Sequence, residues 1–307
     1  MTAGEHAARE HAVRAMWTLF EPIHAVSYFA PHAREAFADI GLTRYWDGYF
    51  AGRAAPLGPV PAAPVVAIFN GFSPFLVGRA LPAAWGVASV DEVLDARSRG
   101  AAAALRSVVA DESLVAEAAS ALTPVAQRID VAGRPLAAAN RALPEESDPY
   151  RQLWRAATIL REHRGDGHVT SLLSEGIAGL AAIVLRSAID IESTTMKRAR
   201  GWSEAEWDAQ ADELIARGLL TADRAITPAG SAAIDNAEHL TNRLAQRPWS
   251  ALDDTGLTGI ARLIAPIAHA CGTFFPYPNP IGMPQPWNPD DDPDAVAISE
   301  VPVKSAR

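Results

Sequence analysis

The densest group of reactive side chains in the sequence is REHRGDGH, from Arg161 to His168. His168 could act as a general acid or base that Asp166 orients, and His163 and His168 could instead bind a metal or a haem. A structural interpretation is also open. In it, Asp166 caps the following helix and His163 interacts favourably with the C-terminal end of the preceding helix dipole. No zinc-type spacing such as HExxH occurs, so the sequence does not identify a cofactor.

A further histidine, His24, lies among aromatic residues near the N-terminus. It is either a hydrogen-bonded core residue or, together with His168, the polar centre of an otherwise apolar pocket. The catalytic candidates are therefore His168, His24 and Asp166. The candidate ligand-binding residues are Trp17, Phe20, Tyr28, Trp154, Arg161, His163 and His269.

Composition restricts the class of protein. The 307 residues are 49% hydrophobic and 21% charged, which is typical of a folded globular chain. The net charge of −9 lacks the basic footprint of a free-standing nucleic-acid binder. One cysteine, Cys271, excludes an internal disulfide and a multi-cysteine zinc site. No apolar run suggests a membrane span and no export signal is evident, so we expect a cytoplasmic protein without membrane contact.

The spacing of apolar residues and of capping residues predicts a mainly helical chain. Gly165 and Gly167 are expected to separate a helix that ends at His163 from another that starts at His168. The predicted helices cover residues 5–30, 31–50, 88–110, 112–122, 150–163, 168–192, 202–217, 228–246 and 251–271.

The domain division follows from the same pattern. Residues 1–130 form one half and 150–272 the other, and the proline-containing stretch 131–149, which lacks periodicity, connects them. Residues 273–307 form a proline-rich arm and tail. Its aromatics predict that 273–288 packs as an extended arm and that residues after 289 are disordered.

Residues 202–235, WSEAEWDAQADELIARGLLTADRAITPAGSAAID, resemble the winged helix-turn-helix of MarR-type regulators. The matching parts are a helix that ends in ARGLL, a short wing, and a Thr-Pro-Ala-Gly start to the closing helix. The whole chain also looks like a poorly characterised bacterial family of helix-turn-helix relatives. The resemblance implies a helix-turn-helix fold with one short β wing.

A fainter copy in the first half suggests an internal duplication. Residues 65–81 can be laid beside the helix that ends in ARGLL, and His24-Ala-Val-Ser beside His168-Val-Thr-Ser. We therefore expect two tandem winged-helix-like halves that form an internal pseudo-dimer, with His24 and His168 at a common cavity between them.

DNA binding is an alternative that the charge pattern disfavours. In MarR-type proteins the helix after the turn enters the major groove. Here residues 202–217 carry five acids and one arginine, which opposes contact with phosphates. The basic residues left for such contact are Arg198, Arg200 and Arg224.

The sequence thus favours a small-molecule-binding protein derived from a MarR-type regulator, with possible gained catalysis through His24 and His168. A DNA-binding regulator of MarR type is the first alternative and a haem- or metal-binding protein the second. Whether the chain is an enzyme, and whether it is a monomer or a homodimer, stays open at this level.

Overall fold

A computed structural model describes residues 3–291, with side chains from residue 8. This part of the chain is mainly helical. The α-helices are α1 (Ala3–Phe29), α2 (Pro31–Asp39), α3 (Tyr45–Ala54), α4 (Ala62–Phe69), α5 (Pro74–Gly78), α6 (Val90–Val108), α7 (Glu112–Gln127), α8 (Pro135–Ala142), α9 (Pro149–Ser174), α10 (Leu180–Ser187), α11 (Ser193–Arg200), α12 (Glu204–Ala216), α13 (Pro228–Leu244) and α14 (Asp254–Cys271).

Most helix starts follow the local rules that the sequence shows. Ser89 and Glu92 form a capping box at α6, and Ser203 and Glu206 form another at α12. The Asp111 side chain accepts backbone N–H groups at the start of α7, as expected. These reciprocal bonds satisfy backbone groups that the first helical turn leaves free.

The helix α9 is continuous where the sequence predicts a break. It runs through Gly165 and Gly167 without interruption. A side chain at residue 167 would lie 2.7 Å from Nη1 of Arg134, whose guanidinium donates to the carbonyls of His163 and Leu244. Gly167 therefore permits close packing of a continuous helix and does not terminate one.

Two further expectations need correction. The stretch expected to be an irregular connection contains α8, which packs against α9 with Leu136 and Ala137 buried. The single helix expected over 31–50 is two helices, α2 and α3, which are joined by a turn at Gly41, where φ is +86°. Whether the chain divides into two domains at 131–149 stays a prediction.

The core consists of three apolar clusters. The central cluster joins α1, α6, α7, α9 and α14, and its fully buried residues include Leu19, Leu122 and Leu153. The second holds aromatic residues of α2–α4 such as Phe37 and Phe50. The third packs the end of α9 against α10–α13. Because α9 runs from the central cluster into the third, it fixes their relative positions.

The proline-rich arm packs as expected. Phe275 and Met283 are buried in the central cluster, and the Trp287 backbone N–H donates to the Thr18 hydroxyl at 3.0 Å. The tail from residue 292 onward, which is expected to be disordered, lies outside the described residues. Strands are absent from residues 3–291, in which the expected wing amounts to a single antiparallel bridge between Leu220 and Ile226.

One described segment, 254–274, is long and apolar enough to cross a membrane by length and composition. The sequence led us to expect no such stretch. Within the fold its buried residues, among them Ile260 and Ile264, belong to the central cluster. A core helix passes the same test of length and composition.

The two glycines of α9 give a matched stability test. Gly167→Ala should destabilise the protein by about 1–3 kcal/mol, since the new methyl group displaces the Arg134 guanidinium. At Gly165 the nearest atoms would lie 3.7 Å away, so Gly165→Ala should stabilise the helix by up to about 1 kcal/mol. Urea unfolding of both variants measures this. Equal stabilisation by the two alanines would show that Gly167 is not a packing glycine.

Candidate functional site

The main cavity of the described chain lies between the central and third clusters. Its volume is about 510 Å³, within the range of pockets that take small organic ligands. Helices α1, α3, α9, α10, α11 and α13 line it, and Pro280, Ile281 and Gly282 of the arm close one side.

One face of α9 supplies much of the polar wall. Arg161, Arg164, His168 and Leu172 follow one another at spacings of three or four residues and all line the cavity. This spacing places side chains on the same side of a helix only when the helix is continuous. The unbroken course of α9 is thus what aligns them.

A buried ionic network holds this wall in place. The Arg53 guanidinium donates to both carboxylate oxygens of Glu162, each at 3.0 Å. Arg161 donates to Glu162 at 2.9 Å and to Glu21 at 3.2 Å. The network therefore joins α1, α3 and α9, and the Glu162 side chain is 1% exposed.

The network sets the protonation of its members. Burial alone would raise the pKa of Glu162, but the neighbouring Arg161 and Arg53 charges bring this pKa well below its usual value. Burial would lower the pKa of Arg53, yet the Glu162 charge raises it overall. Glu162 and Arg53 are therefore both charged at neutral pH.

A second charged group flanks Trp17. The Trp17 indole N–H donates to Glu21 at 2.9 Å, and the Arg164 guanidinium lies over its ring at 4.3 Å. Arg164 and Arg14 both pair with Glu238 of α13. Although burial opposes ionisation of Glu238, Arg164, His168 and Arg14 lower its pKa to about 2.

His168 lines the cavity. Its Nδ1 is 2.9 Å from the Thr241 hydroxyl, and 4.0 Å separate it from Glu238. Burial is the largest cause that lowers its pKa below the usual value, so the ring is neutral at pH 7. It can therefore form a hydrogen bond with a bound molecule through its other nitrogen.

His24 does not share this cavity, contrary to the expectation. Its Nδ1 is 2.9 Å from the Thr158 hydroxyl and its Nε2 is 2.8 Å from the Tyr28 hydroxyl, while its ring stacks on Trp154. These groups surround a separate space of about 20 Å³, which Arg53 and Glu162 also line. The ionic network thus lies between His24 and the main cavity, and burial lowers the pKa of His24.

Phe20, Tyr28 and Trp154 also lie outside the main cavity, since they pack in the core around His24 and Trp249. Of the ligand-binding candidates, Trp17 and Arg161 line the cavity. His269 does not, because its Nδ1 bonds to the Ala265 carbonyl one turn back on α14.

Asp166 and His163 have partners outside the cavity. The Asp166 carboxylate accepts the Ala137 N–H at 3.0 Å, so it caps α8 and not the helix that we expected after residue 167. His163 is buried with its Nε2 2.8 Å from Asp130. Burial and the Arg134 charge lower the His163 pKa to about 4.

The three arginines considered for DNA contact occupy different environments. Arg198 is exposed on α11. Arg200 lines the cavity and donates to the Pro280 carbonyl at 2.9 Å. Arg224 pairs with Asp208 of α12 at 2.8 Å.

Helices α11 and α12 are joined by a short turn at residues 201–203. Gly201, with φ of +75°, ends α11. A Cβ at residue 201 would lie 2.6 Å from Leu76, so the turn itself packs against α5. The outward face of α12 carries exposed acids, Glu204, Glu206, Asp212 and Glu213.

Several residues of the cavity and of the ionic network beside it were not predicted from the sequence. Glu162 and Arg164 stood within the REHRGDGH segment without an assigned role, and no function was given to Arg53 or Glu238. The helical spacing of Arg161, Arg164 and His168 was a usable signal. The distant partners Arg53 and Glu238 leave no such signal in the sequence.

Within the described residues, no group of three or more histidine, cysteine, aspartate or glutamate side chains is arranged to hold a metal ion. The ring nitrogens of His24 both have protein partners.

Comparison with known proteins finds similarity to a family profile. A profile described as a helix-turn-helix family matches residues 13–275. No curated protein and no solved structure matches the chain. This match does not distinguish a MarR-type protein from other helix-turn-helix proteins, and it does not show two equivalent halves.

Asp166 predicts a pH-dependent stability. Burial and the Glu162 charge raise its pKa to about 7. The unfolded chain releases this proton near the ordinary aspartate pKa, whereas the folded chain keeps it until about pH 7. This group therefore lowers the free energy of unfolding as pH rises through that window. Asp166→Asn keeps an oxygen for the Ala137 N–H and should stabilise the protein at pH 8 by at most roughly 4 kcal/mol.

At acidic pH, where both side chains are neutral, Asp166→Asn should leave the unfolding free energy nearly unchanged. Asp111→Asn at an exposed helix cap is the matched control, since its hydrogen bonds lower the Asp111 pKa. It should not stabilise the protein at pH 8. Urea unfolding at both pH values checks the pair, and a pH-independent effect of Asp166→Asn would contradict the assignment.

Proposed function

Because the chain belongs to a helix-turn-helix family, we propose that it is a small-molecule-binding protein whose ligand occupies the cavity of about 510 Å³. The observation that carries the proposal is this cavity, which combines charged and hydrogen-bonding groups with an apolar wall. Such a combination orients a ligand while it buries most of its surface.

The polar groups are rigidly placed before any ligand arrives. Arg53, Arg161 and Glu162 hold one another by hydrogen bonds of 2.9–3.0 Å in a site with little solvent. Trp17 is fixed by its bond to Glu21 and by the Arg164 guanidinium above its ring. A preorganised site loses less conformational entropy when it binds.

We further propose that the chain derives from a MarR-type regulator. It is supported by the resemblance of residues 202–235 and by the bridge between Leu220 and Ile226 at the position of a wing. In this view the cavity lies between the first half of the chain and the half that carries the helix-turn-helix.

Binding requires no catalysis. If the protein also performs a reaction, His168 is the one of the three catalytic candidates whose side chain reaches the cavity. As a neutral imidazole it could accept a proton from a bound molecule. His24 and Asp166 support the fold from neighbouring positions.

DNA binding is a second candidate, which family membership favours. The helix that would enter the groove has an acidic outward face, and two of its acids already pair with Lys197 and Arg224. Contact with DNA depends on cationic groups that displace counterions from phosphates. We therefore propose that ligand binding, and not autonomous DNA binding, is the activity of this chain.

Filling the cavity tests the proposal. Ile183 lines the cavity on α10, so Ile183→Trp should occupy part of its volume. Thermal unfolding is measured with a library of small organic acids, amides and aromatic compounds. We expect ligands to raise the melting temperature of the native protein by about 5 °C at about a hundredfold excess over Kd, and Ile183→Trp to lose this shift.

Ile189→Trp is the control, since Ile189 is 47% exposed and does not line the cavity. It should keep the full ligand response. If no compound stabilises the native protein, or if both tryptophan variants respond equally, the cavity is not the binding site. A mobility shift with random duplex at physiological salt discriminates the second candidate, and tight, salt-sensitive binding there would favour DNA as the partner.

A further inference from the structure

Arg200 is a half-buried cation in the cavity wall without a carboxylate partner. Its Nη2 donates to the Pro280 carbonyl at 2.9 Å, and its guanidinium lies 4.4 Å from the centre of the Phe72 ring. Its Nε is buried and has no hydrogen-bond acceptor, and within residues 8–291 no acid lies within ion-pairing distance of it. A cation removed from water in this way is costly unless an anion reaches it.

The surroundings of Arg200 carry one surplus positive charge. Burial lowers its pKa, and the charges of Arg53 and Arg161 are near enough to lower it further. Those two arginines share the carboxylates of Glu162 and Glu21. Three guanidinium groups therefore meet two carboxylates at this end of the cavity, and the unmatched charge belongs to Arg200.

The cavity wall also contains apolar residues beside charged ones such as Arg186 and Glu238. Helices α10, α11 and α13 and the arm contribute the apolar residues. The residues concerned are Ala182, Ile183, Met196, Ile234 and Ile281. A ligand that fits this cavity thus needs a charged end and a hydrophobic body.

We propose that the cavity binds an amphipathic monocarboxylate, with its carboxylate at Arg200 and its aliphatic or aromatic body against Ile183, Met196 and Ile281. This assignment rests on the proposed function, because it names the chemical class of the ligand in the same cavity. A planar carboxylate matches the fork of a guanidinium group. A single negative charge neutralises the surplus, whereas a phosphate dianion would leave a buried charge uncompensated.

The test compares acids with their neutral counterparts. Benzoate, 2-naphthoate, octanoate and decanoate, each paired with its primary carboxamide, are titrated into the full-length protein by calorimetry. We expect at least one acid to bind at least about tenfold more tightly than its amide, as a hydrogen-bonded charge pair would give. The acid should also bind more tightly than the phosphate monoester built on the same hydrocarbon.

Variants then locate the carboxylate. Arg200→Gln should weaken binding of that acid by about 10–100-fold and change binding of its amide by no more than about twofold. Arg200→Lys, which keeps the charge without the fork, should give an intermediate affinity. Arg198→Gln is the matched control, since Arg198 is exposed on the same helix as Arg200 and does not line the cavity. It should leave the affinity for acid and amide nearly unchanged.

The results distinguish failure of the carboxylate assignment from failure of the proposed ligand-binding function. If amides bind as tightly as acids, if the phosphate monoester binds best, or if Arg200→Gln leaves acid binding intact, the carboxylate assignment is wrong and a ligand cavity remains. If none of these compounds binds the native protein, the carboxylate assignment fails. If, in addition, no compound in the wider library shifts the melting temperature, the proposed function fails with it.

Discussion

The ion pair between Arg53 and Glu162 is the interaction on which the arrangement around the cavity depends. It joins α3 to the middle of α9, and Arg161 extends it to Glu21 on α1. Glu162 is almost fully buried, so loss of either partner would leave a charge without solvent or counterion. The position of these three helices is thereby tied to one set of hydrogen bonds, and the cavity opens directly beside it.

Helix α11 and the arm also line the cavity. Arg200 ends α11, lines the cavity and bonds to the arm at Pro280, while the following turn packs on α5. Helix α11 and the turn after it are thus anchored by packing, and α12 exposes an acidic face. Arginines such as Arg53, Arg161 and Arg200 line the cavity, whereas the outward face of α12 carries acids.

Local chemistry made much of the fold predictable, and long-range packing made the rest unpredictable. The caps at Ser89 and Asp111 and the apolar arm followed from rules that involve adjacent residues. The course of α9 did not, because Gly167 is required by Arg134, which lies 33 positions earlier. Because the sequence predicts two helices here, the regular spacing of Arg161, Arg164 and His168 along one helical face was not recognised. Arg161 and His168 were identified as site residues, but Arg164 was not. The role of Asp166 as the cap of α8 was hidden for the same reason.

A double-mutant cycle on Arg53 and Glu162, followed by urea unfolding, tests the central claim most directly. If the pair holds the helices around the cavity, Arg53→Met and Glu162→Met should each cost about 3–5 kcal/mol, and the double variant should cost clearly less than their sum. The exposed pair Arg99 and Asp39 gives the reference, with an expected cost of at most about 1 kcal/mol. Single costs as small as those of the exposed pair, with additive effects in the double variant, would contradict the account.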